Sequence, residues 1–170
     1  NALVATADAV RHVRYSYDKT GRLESEVVDP EENGLRLSTT YEYDVAGNRT
    51  AVIDRNNNRS EFAYDALNRL VWSRDAEGRV NTNRYDTQGR LEQSTVHFAV
   101  NGAALAYGEL PAVHANDRVT AYSYDALGRT EFTIADAGGI ALTTQNRYNE
   151  FGEVVEVISA LGTDHQRSES

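Results

Sequence analysis

Tyr64-Asp65-Ala66-Leu67-Asn68-Arg69-Leu70 and Tyr85-Asp86-Thr87-Gln88-Gly89-Arg90-Leu91 are two copies of one phrase, 21 residues apart, and that phrase decides the fold. Working outward, Tyr15-Ser16-Tyr17-Asp18-Lys19-Thr20-Gly21-Arg22-Leu23 and Tyr41-Glu42-Tyr43-Asp44-Val45-Ala46-Gly47 precede them. Tyr122-Ser123-Tyr124-Asp125-Ala126-Leu127-Gly128-Arg129 and a worn copy, Tyr148-Asn149-Glu150-Phe151-Gly152-Glu153-Val154, follow. The central tyrosines are separated by 26, 21, 21, 39 and 24 residues, so the underlying period is 21. Self-similarity at such a period dictates stacked supersecondary units.

The chemistry of the phrase explains its spacing. A short acid side chain accepts hydrogen bonds from backbone amides just ahead of it, and glycine three places later tolerates positive φ, so Asp-x-x-Gly reads as a turn. The exceptions keep the mechanism. Asn149 makes the same local bonds as Asp, and Asn68 is the residue next most tolerant of the left-handed region. The predicted corner residues are thus Asp18 and Gly21, Asp44 and Gly47, Asp65 and Asn68, Asp86 and Gly89, Asp125 and Gly128, and Asn149 and Gly152. A second, weaker turn falls about ten residues later, at Asp54-Arg55-Asn56-Asn57-Asn58, Asp75-Ala76-Glu77-Gly78 and Asp136-Ala137-Gly138-Gly139, with a longer version at Asp29-Pro30-Glu31-Glu32-Asn33-Gly34.

Two turns per period leave two legs. Those legs are rich in Tyr, Val, Thr, Leu and Phe, and Tyr15/Tyr17, Tyr41/Tyr43, Phe62/Tyr64 and Tyr122/Tyr124 have the two-residue spacing that puts both side chains on one sheet face. Helices are excluded, because the turns interrupt any three-to-four-residue periodicity every ten residues or so. The expected fold is all-β, a continuous antiparallel meander of repeated hairpins with about twelve strands. Stacked hairpins align like with like, so Tyr15, Tyr17, Tyr41, Tyr43, Phe62, Tyr64, Tyr85, Tyr122, Tyr124 and Tyr148 are expected as aromatic ladders. Arg22, Arg69, Arg90 and Arg129, each next to the turn Gly or Asn, lie close enough to neutralise neighbouring turn acids.

The period breaks between Leu91 and Val119. Inside the break, His97-Phe98-Ala99-Val100-Asn101-Gly102 continues to Tyr107, and Asn-Gly between apolar runs signals a hairpin. An insertion over 92–119 is therefore expected, as an extra arm whose contact residues are His97, Phe98, Asn101, Gly102 and Tyr107, or as a longer loop. The chain reads as a single repeat segment over 1–170, with units at 15–161 and a polar, frayed tail at 163–170. The missing initiator Met points to a piece of something longer. An open repeat sheet has two unpaired edges, which predicts edge-to-edge packing or dimers.

Composition narrows the chemistry. With 26 acidic against 17 basic residues the net charge is -9, which disfavours nucleic acid and anionic membrane surfaces. The apolar stretches are too short to span a bilayer. No cysteine means no disulfide, thiolate metal cluster or cysteine nucleophile. Carboxylates abound, but nearly all are turn acids in equivalent places and do not converge on a cleft, so no catalytic residue is assigned. His12, His97, His114 and His165 lack ligand spacing. Asp54-x-Asn56-x-Asn58-x-Ser60 resembles the start of a calcium loop, but Arg59 stands where such loops need Gly. No cofactor and no metal is expected. Trp72 lies on a leg and reads as core.

The recurring Tyr-Asp-x-x-Gly-Arg-Leu text resembles the YD-repeat or Rhs family over about Tyr15 to Leu161. That family takes in bacterial Rhs proteins, the shell components of insecticidal toxin complexes, wall-associated proteins and teneurins. The resemblance implies an arc of a spiral β-shell, non-catalytic, that encloses or presents another domain such as a C-terminal toxin. It implies as partners the rest of the parent shell and that toxin, and a secreted or cell-surface location in a larger bacterial protein. It also leaves open a second use, recognition of glycan or a partner protein by exposed aromatics and the arm. The family's Asp-Pro-x-Gly core text is missing, since Asp29-Pro30 runs into Glu31-Glu32.

Overall fold

A computed structural model describes residues 12–28, 37–98, 105–137 and 140–162. The strands are β1 (Val13–Tyr17), β2 (Leu23–Val28), β3 (Leu37–Tyr43), β4 (Arg49–Ile53), β5 (Arg59–Tyr64) and β6 (Leu70–Arg74). They continue as β7 (Val80–Tyr85), β8 (Leu91–Val96), β9 (Arg118–Tyr124), β10 (Thr130–Ala137), β11 (Ile140–Tyr148) and β12 (Val154–Gly162). The hydrogen-bonded order follows chain order from β1 to β12 without a crossover, with antiparallel neighbours. This is the all-β meander that the repeat predicts. Contacts divide the chain into two compact units, 1–61 and 62–170.

The six repeated corners share one geometry. In each, the third-following residue donates its N–H to the carbonyl of the first, as Gly89 does to Asp86 at 3.0 Å. The first residue donates its own N–H to the carbonyl of the fifth, as Asp86 does to Arg90 at 2.9 Å. The fourth residue takes positive φ, from 60° at Asn68 to 92° at Gly47. That is a type I turn closed by a left-handed residue, the common longer hairpin connection. A register shift flanks the corner in five hairpins, for example between Arg84 and Tyr85, and such a bulge raises local strand twist.

The alternate connections use related chemistry where they are short. Asp54 and Asp75 head turns with Asn57 at φ 62° and Gly78 at φ 84°. Asp136 does not. It lies inside β10, paired with Ala141, and Ala137 pairs with Ile140. The turn expected at Asp29–Gly34 lies outside the described residues, as do Asn101 and Gly102 of the expected arm.

Burial is thin. Among the described residues the buried apolar side chains are Val28, Ala51, Trp72 and Val80. Hydrogen-bonded ladders and side-chain links between hairpins therefore carry much of the cohesion that a thick core supplies elsewhere.

Candidate functional site

Each corner is built around its first side chain. Asp86 Oδ1 accepts the N–H groups of Gln88 and Arg90 at 2.9 Å each, and Oδ2 accepts Arg90 Nε at 2.7 Å. Asp18, Asp65 and Asp125 bind Arg22, Arg69 and Arg129 in the same way. Asp44 and Asp54 use Asn48 and Asn58 instead, at 3.0 and 2.8 Å. The arginines thus pair with the acid of their own corner.

These bonds hold the carboxyls below the usual carboxylate range. At Asp18 and Asp125 the largest cause is the backbone N–H of the fifth residue; at Asp65 it is the Arg69 side chain, and at Asp44 the Asn48 amide. At Asp86 burial opposes ionisation and is outweighed by the Arg90 N–H and guanidinium. A lowered native pKa means that the unfolded chain takes up protons first on acidification. Stability is therefore expected to stay level from neutrality to about pH 5 and to fall progressively below about pH 4. Thermal melts followed by far-ultraviolet circular dichroism check this; a midpoint that rises on going below pH 4 contradicts it.

The same arginines join one hairpin to the next. The Arg22 guanidinium lies 4.7 Å from the Tyr43 ring centre, Arg69 4.6 Å from Tyr85, Arg90 4.4 Å from Tyr124 and Arg129 4.4 Å from Tyr148. Each of those tyrosines then donates its hydroxyl to the carbonyl just after the arginine: Tyr43 to Leu23, Tyr85 to Leu70, Tyr124 to Leu91 and Tyr148 to Thr130, at 2.7–2.9 Å. Arg22 Nη1 also reaches the carbonyl of Asp44 at 2.9 Å. The result is a clasp of acid, cation and ring, repeated in register. Burial pushes the Tyr124 phenol up. Tyr15 and Tyr17, on the first strand, stand exposed. Phe62 and Tyr64 lie on β5, and Tyr41 and Tyr122 are half-buried on β3 and β9.

The worn corner reverses the clasp's polarity. Asn149 Oδ1 accepts the N–H groups of Phe151 and Glu153, but its amide donates to Glu153 Oε2 at 2.7 Å. The acid has moved from the first place to the fifth. The sequence carried this signal, since Asn at the first place coincides with Glu at the fifth, although the compensation was not read from it.

The described residues of the insertion are tied to the sheet. Tyr107 donates its hydroxyl to the Phe62 carbonyl at 2.6 Å and meets Trp72 edge-on at 5.7 Å, while Arg74 Nη1 donates to the Leu105 carbonyl at 2.9 Å. A methyl group at Gly108 would touch Ala63 at 3.8 Å. Residues 105–108 are therefore laid back on the β5–β6 region. Trp72, 1% exposed, is core.

Asp117 fastens both ends of the insertion. Its Oδ1 accepts Phe98 N–H at 2.8 Å and its Oδ2 accepts His114 N–H at 3.0 Å. His97 Nδ1 approaches Oδ2 to 3.2 Å, but the contact is too poorly aligned to count as a hydrogen bond and acts as an electrostatic approach. His97 Nε2 lies 2.9 Å from Thr82 Oγ1, and the Phe98 and His114 rings stack at 5.1 Å. A cavity of about 350 Å³ lies here, lined by Thr82, Gln93, Thr95, His97, His114 and Asp117 among others. Both carboxylate oxygens are engaged by backbone amides, so this Thr-His-Asp array reads as a fastening. Among the described residues no group of three or more His, Asp or Glu is placed to hold a metal, and no helix is long and apolar enough to cross a membrane. Asp54, first of the calcium-like text, spends its carboxylate on Asn56 and Asn58.

A β-meander whose hairpins are clipped to one another by equivalent side chains defines a structural repeat wall. The chain belongs to the Teneurin YD-shell family, which it matches over residues 1–155. Its fold is shared with the crystal structure of TcdB2-TccC3-TEV, with a TM-score of 0.62 at 16% identity over 86% of this chain and 8% of that one. TcdB2-TccC3 aligns with a TM-score of 0.41 at 16% identity over 90% of this chain and 11% of that one. No curated protein matches.

Proposed function

We propose that residues 1–170 form a single, non-catalytic stretch of a repeat shell that encloses or presents another domain, a C-terminal toxin in a secreted or surface-borne bacterial protein. The observation that carries this reading is the fate of the aromatics. Tyr43, Tyr85, Tyr124 and Tyr148 are spent on joining hairpins, face covered by a guanidinium and hydroxyl given to a backbone carbonyl. A recognition surface keeps such rings open to its ligand. Family membership and the shared fold support the same reading.

A second reading, a surface module for glycan or a partner protein, draws on the insertion. Phe98, Tyr107, Leu110 and Val113 are exposed there. Screening the chain on a broad glycan array separates the two. The wall reading expects no signal above nonspecific background, and a reproducible micromolar hit abolished by Phe98→Ala or Tyr107→Ala replaces it with the second.

A further inference from the structure

In the four regular clasps the cation of one corner lies over a ring of the following strand: Arg22 over Tyr43, Arg69 over Tyr85, Arg90 over Tyr124 and Arg129 over Tyr148. The fifth residue of a corner therefore faces the ring position of the following strand. At the last corner the fifth residue is Glu153, and β12, which follows it, is paired on one side only among the described residues. Val154, Val155 and Val157 on that strand are more than half exposed. By the same arrangement, a strand added to β12 sets one side chain against Glu153.

A tyrosine is the wrong residue there. The negative face of a ring attracts a guanidinium but repels a carboxylate. The partner of Glu153 in its own corner, Asn149, is neutral, whereas each regular corner pairs Asp with Arg. A lysine or arginine would pair with Glu153 and donate to the Val154 carbonyl, the counterpart of those that take tyrosine hydroxyls elsewhere. We infer that β12 is an acceptor edge for an antiparallel strand that carries Lys or Arg, in place of Tyr, across from Glu153. This rests on the wall reading and names the chemistry of the wall's next strand. A second copy of the chain fits poorly, since its β1 would present Tyr17 at that place; the charge pattern thus argues against the head-to-tail form of edge-to-edge self-association.

Fluorescent heptapeptides test the inference against the full chain. One copies β9, Arg118–Tyr124, and the other is the same peptide with Tyr124→Lys. By anisotropy titration the lysine peptide is expected to bind about two- to five-fold more tightly, the range of a cross-strand charge pair. In the Glu153→Arg chain the order is expected to reverse. Glu153 is exposed, and circular dichroism confirms that the variant stays folded. Equal binding, or a preference for the tyrosine peptide by the unaltered chain, overturns the charge rule and leaves the wall reading standing. Binding of neither peptide overturns the acceptor edge. A glycan hit in the array experiment overturns the wall reading by a separate route.

Discussion

Trp72→Ala is expected to lower stability by about 3–5 kcal/mol in urea denaturation at neutral pH, the usual cost of truncating a fully buried large aromatic. Trp72 is the largest fully buried side chain among the described residues, and with so few buried apolar neighbours the site has little material with which to collapse into the void. The indole also carries the edge contact to Tyr107 and lies 5.4 Å from the Arg74 guanidinium. Its N–H has no acceptor among the described residues, so Trp72→Phe removes an unsatisfied donor along with some packing and is expected to cost less than half as much. An alanine variant within about 1 kcal/mol of the parent would show that the ring is dispensable to the core.

Asp117→Ala is expected to cost about 2–3 kcal/mol, because it strands two part-buried backbone donors, Phe98 N–H and His114 N–H, at the low end of about 1–3 kcal/mol each. It also deprives His97 of its facing carboxylate. Asp117→Asn retains a carbonyl oxygen for one of the two amides and is expected to lose about half as much. Hydrogen exchange gives the local readout: protection of the Phe98 and His114 amides should fall together in the alanine variant, while β10 and β11 amides keep theirs. Unchanged exchange at both positions would show that the insertion is fastened elsewhere.

The corners were legible from sequence because their causes are local. An acid that caps its own turn, followed three places later by a residue that tolerates positive φ, lies within five residues of text, and even Asn68 could be read that way. The strands between them followed from spacing. The clasp was legible only in part: Arg22, Arg69, Arg90 and Arg129 were marked as companions of the turn acids, but their stacking on the next ring depends on cross-strand register some 20 residues away. Asp136 looks in the sequence like the head of a capped turn because it precedes two glycines, whereas it lies within β10 and pairs with Ala141. The contacts that hold residues 105–117 were hidden. Tyr107 answers to Phe62 and Asp117 to Phe98, partners 45 and 19 residues distant with no periodic signal between them.

Because every regular clasp spans only adjacent hairpins, each link is a separate catch between one rung and its neighbour. Under a pulling load applied at an end, such a ladder yields rung by rung, and the order of release is set by position before strength. A copy lost or gained by gene duplication likewise disturbs a single pair of catches, which lets a wall of this kind change its length over evolutionary time without redesign of the rest.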